Sequence, residues 1–326
     1  MISAFRLHVR SDDADIRVIE RMNPSAPLSE AIWIDLWQPK AEEVEQVAAL
    51  GIRVPTLTSM SNIELSRRLY RRGDVDYMAF FVPEPSEQRH TRLTPIACIV
   101  SPQRLVTVRH GARRPFHDFF DREAQGGISG QSPDELLLHL IDAIVGTLGE
   151  RLEDDGHELN EITTGVFRTG GPDVGQMLQL SLETCGRLGE NVAKTRESLL
   201  MVSRVLSHLE QRLERPGMDP GLKVFWTVQQ RDVVAMAEHA DHLSERVSFA
   251  TDATLGMINL DQNKSINALS AVAALFLPAT LIASVYGMNF QEMPGLDDRL
   301  GFLKAVGVML GSAAVGIAVL KWRKWL

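Results

Sequence analysis

The chain has 326 residues, with 42 acidic against 34 basic side chains and a net charge of −8 when histidine is neutral. An excess of acid with no broad basic stretch leaves nothing to neutralise phosphates, so nucleic acid is not an expected partner. Two cysteines, Cys98 and Cys185, are too few for a disulfide framework or a zinc cluster, and each sits among apolar neighbours as a buried free thiol would.

The N-terminus, MISAFRLHVRSDDAD, has neither a basic start nor a long apolar run. It does not read as a signal peptide, which places the large N-terminal part in the cytoplasm. Ile2 to Val9 and Ala31 to Trp37 run or alternate apolar at strand length. Pro39 then opens a helix through EEVEQVAALG, which Gly51 ends. Val75 to Pro83 and Thr94 to Val108 follow as strands, the second broken by a turn at Ser101-Pro102. The expectation is an α+β domain over 1–131, a mixed sheet flanked by helices.

Ser132-Pro133-Asp134-Glu135 supplies an N-cap, a first-turn proline and a capping-box glutamate. The helix it starts extends to about Val166, where Thr169-Gly170-Gly171-Pro172 breaks it. A second runs from Asp173 to about Arg215, giving a helical pair over 132–218. Asp219-Pro220 caps a third. No glycine-proline break interrupts it, although Gly256 lies inside, so it reads as continuous from Gly221 to Tyr286, roughly 100 Å at 1.5 Å per residue. Within it Met236, Ala240, Leu243, Val247, Ala250, Thr254 and Met257 keep steps of four and three, the seam of a bundle or coiled coil. The two preceding helices, further copies of the chain, or both would pack that seam.

The segment 219–286 ends in an apolar run. Ala268 to Tyr286 is 19 residues without a charge, enough to cross the ~30 Å hydrocarbon core of a bilayer. Asn263, Ser270, Thr280 and Ser284 fall on one stripe, which also holds Ile266, Ala273, Leu277 and Gly287. Lipid would leave these hydroxyls unsatisfied, so the stripe is expected to face protein or water. Tyr286 lies off it, at interface depth.

After a loop over 287–301, a second span runs from about Phe302 to Leu320 within 302–326, with Lys304 able to snorkel. Gly307 and Gly311 form a small-xxx-small face, a spacing that Gly316 does not extend. Lys321, Arg323 and Lys324 mark a cytoplasmic end, with Trp322 and Trp325 at the interface, so both termini are expected inside. Glu292, Asp297 and Asp298, against Arg299 alone, would draw cations to the outer loop. Two helices cannot enclose a pore. A polar seam in an apolar helix therefore implies several chains around an axis, each seam residue becoming a ring.

Tyr286-Gly287-Met288-Asn289-Phe290, then Met293-Pro294, a second apolar span and a basic-tryptophan tail resemble the CorA family of divalent-cation channels. Trp33-Ile34-Asp35-Leu36 is similar to a segment of that family's N-terminal domain. The resemblance implies a homopentameric funnel in the inner membrane, conducting Mg²⁺ and with it Co²⁺ or Ni²⁺. It implies a selectivity filter of Tyr286, Gly287, Met288 and Asn289, in which a ring of Asn289 carboxamides and Gly287 carbonyls holds a hydrated ion. Neutral oxygens suit Mg²⁺, which gives up its water reluctantly. Leu269 and Leu277, with Ile266 at another such position, resemble the family's hydrophobic constriction. Pro278 removes a backbone hydrogen bond and serves as a bend or a fixed kink.

Gly295 departs from the acidic residue usual after Met-Pro. Leu277-Pro278 and Met293-Pro294-Gly295 are also similar to ZntB, the zinc-transporting branch, so a zinc transporter is the alternative. A non-conducting, membrane-anchored regulator is another. The family's regulatory metal bridges carboxylates between subunits; Asp232 and Asp241 are candidates for it, against an ordinary solvated face. Glu153-Asp154-Asp155-Gly156-His157-Glu158, and His239 with His242, are further metal candidates, the bland alternatives being solvated surface and ordinary surface histidines. No phosphate-cradling glycine loop, His-Glu-x-x-His or nucleophile with its base is present, so neither an enzyme nor a bound cofactor is expected beyond the transported and regulatory ion.

Overall fold

A computed structural model describes residues 1–9, 17–61, 68–85, 91–111, 113–124, 132–167, 174–214, 219–288 and 300–322. The chain divides into two units, Met1–Phe167 with Glu183–Thr251, and Arg168–Leu182 with Asp252–Leu326.

The first unit is built on a seven-stranded mixed sheet. Its strands are β1 (Ile2–Val9), β2 (Arg17–Arg21), β3 (Trp33–Trp37), β4 (Leu69–Arg72), β5 (Val75–Pro85), β6 (Thr91–Val100) and β7 (Leu105–Arg109). They lie in the order β2-β1-β3-β7-β6-β5-β4. Among the described strands, only β3 and β7 run parallel, with Ile34 opposite Val106. The centre is apolar on both faces, as a sheet covered on both sides must be. Short helices α1 (Ala41–Ala48) and α2 (Leu57–Met60) follow β3, and Val47 and Met60 pack with Ile34, Leu36, Tyr77, Ile99 and Val106 on one face. The opposite face meets α3 (Arg113–Ala124) and the long helices α4 (Pro133–Val166), α5 (Val174–Leu213) and the first part of α6 (Pro220–Tyr286).

Local chemistry sets the element ends. The Lys40 amide donates to Glu43 at 2.8 Å to start α1, and Gly51 takes φ of +79° where the chain leaves it. The Ser132 hydroxyl accepts from the Glu135 amide at 3.2 Å to cap α4. The strands read from alternation are all present. The charged strands β2 and β4, and the polar helix α3, are additional.

Two polar networks tie the helical face to the sheet. In β3, Trp33 Nε1 donates to the Thr107 hydroxyl at 3.0 Å, which donates to Asp35 at 2.7 Å. Asp35 also accepts from Arg109 Nη2 at 2.8 Å, and that guanidinium lies 4.2 Å above the Phe116 ring. Trp33 stacks with Phe5 at 4.8 Å and Phe120 at 5.2 Å. At the far end of α5, Arg212 bonds Asp76 Oδ2 at 3.0 Å, the Ser101 carbonyl at 3.1 Å and the Asp134 carboxylate. Burial opposes its charge, but Asp134 and Asp76 outweigh that and hold the guanidinium pKa above its usual value.

The α6 seam finds its partner within the chain. Ala240, Leu243, Val247 and Ala250 are buried with Leu148 and Leu152 of α4 and Leu188 and Val192 of α5. Glycines give it room: a Cβ on Gly149 would stand 2.9 Å from Met236 Cε, and one on Gly189 would stand 3.5 Å from Val247 Cγ1. Cys98 and Cys185 are both free and buried, and burial pushes both thiols up from their ordinary pKa.

The second unit holds the first turns of α5, the rest of α6, and α7 (Gly301–Trp322). Thr254 is fully buried within it.

Candidate functional site

α6 and α7 each carry a window apolar enough to cross a membrane, of which 0% and 11% respectively is buried within the chain. A core helix of a soluble protein would be mostly covered. Such apolar surface is stable only against lipid or further protein.

The two spans approach each other closely at Gly316. A Cβ on Gly316 would stand 3.4 Å from the carbonyl oxygen of Ala274 and 3.9 Å from its carbon. Ala274 precedes Pro278 by four residues, so its carbonyl lacks the N–H that position 278 would otherwise donate. Asn267, Ala271, Leu275, Pro278 and Ile282, half-buried, form one stripe of α6. By contrast, Gly307 and Gly311 meet nothing within 4 Å in their own chain. The close approach therefore falls on the glycine that the small-xxx-small spacing leaves out.

The polar stripe lies elsewhere. Asn263, Ile266, Ala273, Leu277, Thr280 and Ser284 are exposed, and Ser270 is half-buried. At 3.6 residues per turn their mean direction is roughly 140° round the helix from that half-buried stripe. Leu269 and Leu277 are among the most open side chains of the span, at 72% and 70% exposure. Among the described residues, all of this seam but Ser270 stands open in the single chain. The Thr280 hydroxyl, expected to need a partner outside the helix, donates to the Phe276 carbonyl at 2.8 Å. It is satisfied inside its own helix, so the exposure of apolar residues such as Leu277, rather than an unmet hydroxyl, distinguishes the face.

At the C-terminal end of α6, Gly287 donates to the Ala283 carbonyl at 2.9 Å and Met288 to Val285 at 3.3 Å, which closes the helix beyond the exposed Tyr286. Asn289, Glu292, Asp297 and Asp298 lie outside the described residues.

The metal candidates of the first unit are placed apart. Asp241 binds Arg196, Oδ2 accepting from Nη2 at 3.1 Å, a contact that raises the arginine pKa. Asp232 is exposed and, nine residues earlier, lies about 180° round the helix from Asp241. Glu158 pairs with Arg187, and Asp155 accepts from Asn191 at 3.1 Å. Burial raises the Asp155 pKa against the lowering effect of Asn191, Arg151 and Arg187. His239 and His242 are exposed. Among the described residues, no three histidine, cysteine or carboxylate side chains of one chain gather as a metal group would require.

A mixed-sheet domain, helices that continue from it, and two uncovered apolar spans define a membrane protein with a large domain outside the spans. The family model described as "CorA-like Mg2+ transporter protein" matches residues 29–322, and the chain belongs to that family. It is 28% identical to the magnesium transport protein CorA of Haemophilus influenzae over 329 residues, covering all of both chains. In fold it is similar to the CorA magnesium transporter of Methanocaldococcus jannaschii, with a TM-score of 0.73, 18% identity, and coverage of 100% of this chain and 99% of the other. It is also similar to the cytoplasmic domain of ZntB from Vibrio parahaemolyticus, with a TM-score of 0.53, 10% identity, and coverage of 80% and 99%. At these identities the two structures speak to the fold alone.

Proposed function

We propose that the protein is a homopentameric channel that admits Mg²⁺ to the cytoplasm through the inner membrane, with both termini inside. The exposed seam of α6, turned away from the chain's own second span, carries this reading. Five such seams around an axis enclose a path, while α7 separates it from lipid.

In this arrangement Asn289 forms the outer ring and, with the Gly287 carbonyls, holds the ion through its water. A neutral ring grips more weakly than carboxylates and lets the ion leave. Glu292, Asp297 and Asp298 raise the local cation concentration. Leu269 and Leu277 with Ile266 make the apolar stretch that dewets when closed, while Thr280, Ser270 and Asn263 wet the path on either side. No bound cofactor is required, since two charges moving down 100 mV gain about 4.6 kcal/mol.

The test is dye-reported flux into vesicles holding the purified protein, with Mg²⁺ or Zn²⁺ outside, with and without a pH gradient. Mg²⁺ entry that needs no pH gradient, and that drops about tenfold or more in Asn289→Ala, is expected, a tenfold change being about 1.4 kcal/mol. Entry of Zn²⁺ alone would assign the protein to zinc transport, and no entry of either ion would remove the channel reading.

A further inference from the structure

Gly316 and Leu277 lie on different helices and on different sides of the path-lining wall, yet one carbonyl connects them. Pro278 withdraws an N–H from the Ala274 oxygen, and its ring crowds that carbonyl, which favours a bend of the helix there. Gly316 is the residue of α7 set against that oxygen, close enough that a Cβ would stand at 3.4 Å. An alanine fits at that distance. A branched side chain does not, because its further carbons would overlap the Ala274 peptide.

Leu277 is the residue immediately before the proline. It points into the uncovered seam at 70% exposure, so its height and reach depend on how α6 bends at Pro278. On the α7 side, the Ala274 peptide lies next to Gly316, 3.4 Å from where a Cβ would stand.

We propose that Gly316 is a positioning residue for the apolar constriction, the stop against which α6 rests and which sets how far Leu277 reaches into the path. This rests on the transport reading above. Bulk placed at 316 pushes α6 away from α7 and the Leu277 ring inward. The effect grows with side-chain size, and it acts through Leu277 rather than through the mouth.

The experiment measures Mg²⁺ flux and pentamer content for the full-length protein and for Gly316→Ala, Gly316→Leu, Leu277→Ala and the double variant Gly316→Leu with Leu277→Ala. Expected are flux within about twofold of the parent for the alanine and a fall of about fivefold or more for the leucine, the scale of overpacking a well-filled contact. The half-saturating Mg²⁺ concentration, set at the mouth, stays unchanged. In the Leu277→Ala background the leucine at 316 then costs less than about twofold, since neighbours that act through one another are not additive. Normal flux in Gly316→Leu, or an equal loss with and without Leu277, would overturn the proposal while leaving transport intact. If Gly316→Leu lowers pentamer content, flux per pentamer decides, and an unchanged value counts against it. Absence of flux in the parent protein removes the transport reading and this proposal together.

Discussion

Arg212 of α5 holds Asp76 of β5 at 3.0 Å while the same guanidinium bonds Asp134 at the first turn of α4. Three elements that are remote in sequence are thereby fixed at one buried charge. All three side chains are almost completely buried, and His208 Nε2 adds a contact to Asp76 at 3.2 Å. In such a site, removing one member costs far more than the pair contributes, because the charges left behind are poorly solvated.

Arg212→Met should therefore destabilise the first unit by about 3–5 kcal/mol. Arg212→Lys should recover part of this, since an ammonium keeps the charge but not the fork that reaches both carboxylates. The thermal midpoint of the detergent-solubilised protein reads the effect. A methionine variant melting with the parent would show that the network contributes little.

Asp155 gives a pH dependence of the opposite kind. Burial raises its pKa despite Asn191, Arg151 and Arg187, so the folded state binds its proton more tightly than the unfolded state does. Stability then falls as pH rises from the ordinary aspartate value of about 3.9 through the raised value, and the full cost is present at neutral pH. Asp155→Asn removes the ionisation and leaves an amide oxygen to accept from the Asn191 amide, now 3.1 Å from the carboxylate. The variant should be more stable than the parent at pH 7, with the advantage vanishing below about pH 4, where Asp155 is protonated in both states. Denaturant midpoints at the two pH values provide the measurement. A parent that is equal or more stable at pH 7 would mean that the attraction of Arg151 and Arg187 outweighs burial.

The periodic parts of this chain were legible and the contacts between distant parts were not. α4, α5, α6 and α7 could be read to within a few residues because cap residues, Gly-Pro breaks and uncharged length are local signals. β2, RVIER, and β4, LYRR, escaped because they are edge strands, where charge replaces alternation. α3 escaped because its sequence, RRPFHDFFDREA, is mostly polar and shows its purpose only when Phe116, Phe119 and Phe120 meet Trp33. The stripe of α6 was visible as spacing, and its residues other than Ser270 stand exposed. The role of Gly316 was not, because spacing selects pairs of small residues. It does not reveal which carbonyl of the facing helix a proline has freed.

That difference bears on the constriction itself. Leu277 follows from spacing and resemblance, and its side chain stands open in the single chain at 70% exposure. If five copies close on it, the barrier is the absence of water between apolar walls rather than a plug. Leu277→Asn would place an amide at the same height and nearly the same volume, so water would enter without widening the path. Mg²⁺ flux should then rise by about tenfold, equivalent to removing about 1.4 kcal/mol of barrier. Leu277→Met, which stays apolar, should remain within about twofold of the parent, because swaps that conserve volume and polarity disturb packing least. The dye-flux assay distinguishes the two substitutions. Equal flux in both variants would show that polarity at 277 does not control entry, and the gate would then have to be sought at Leu269 or Ile266.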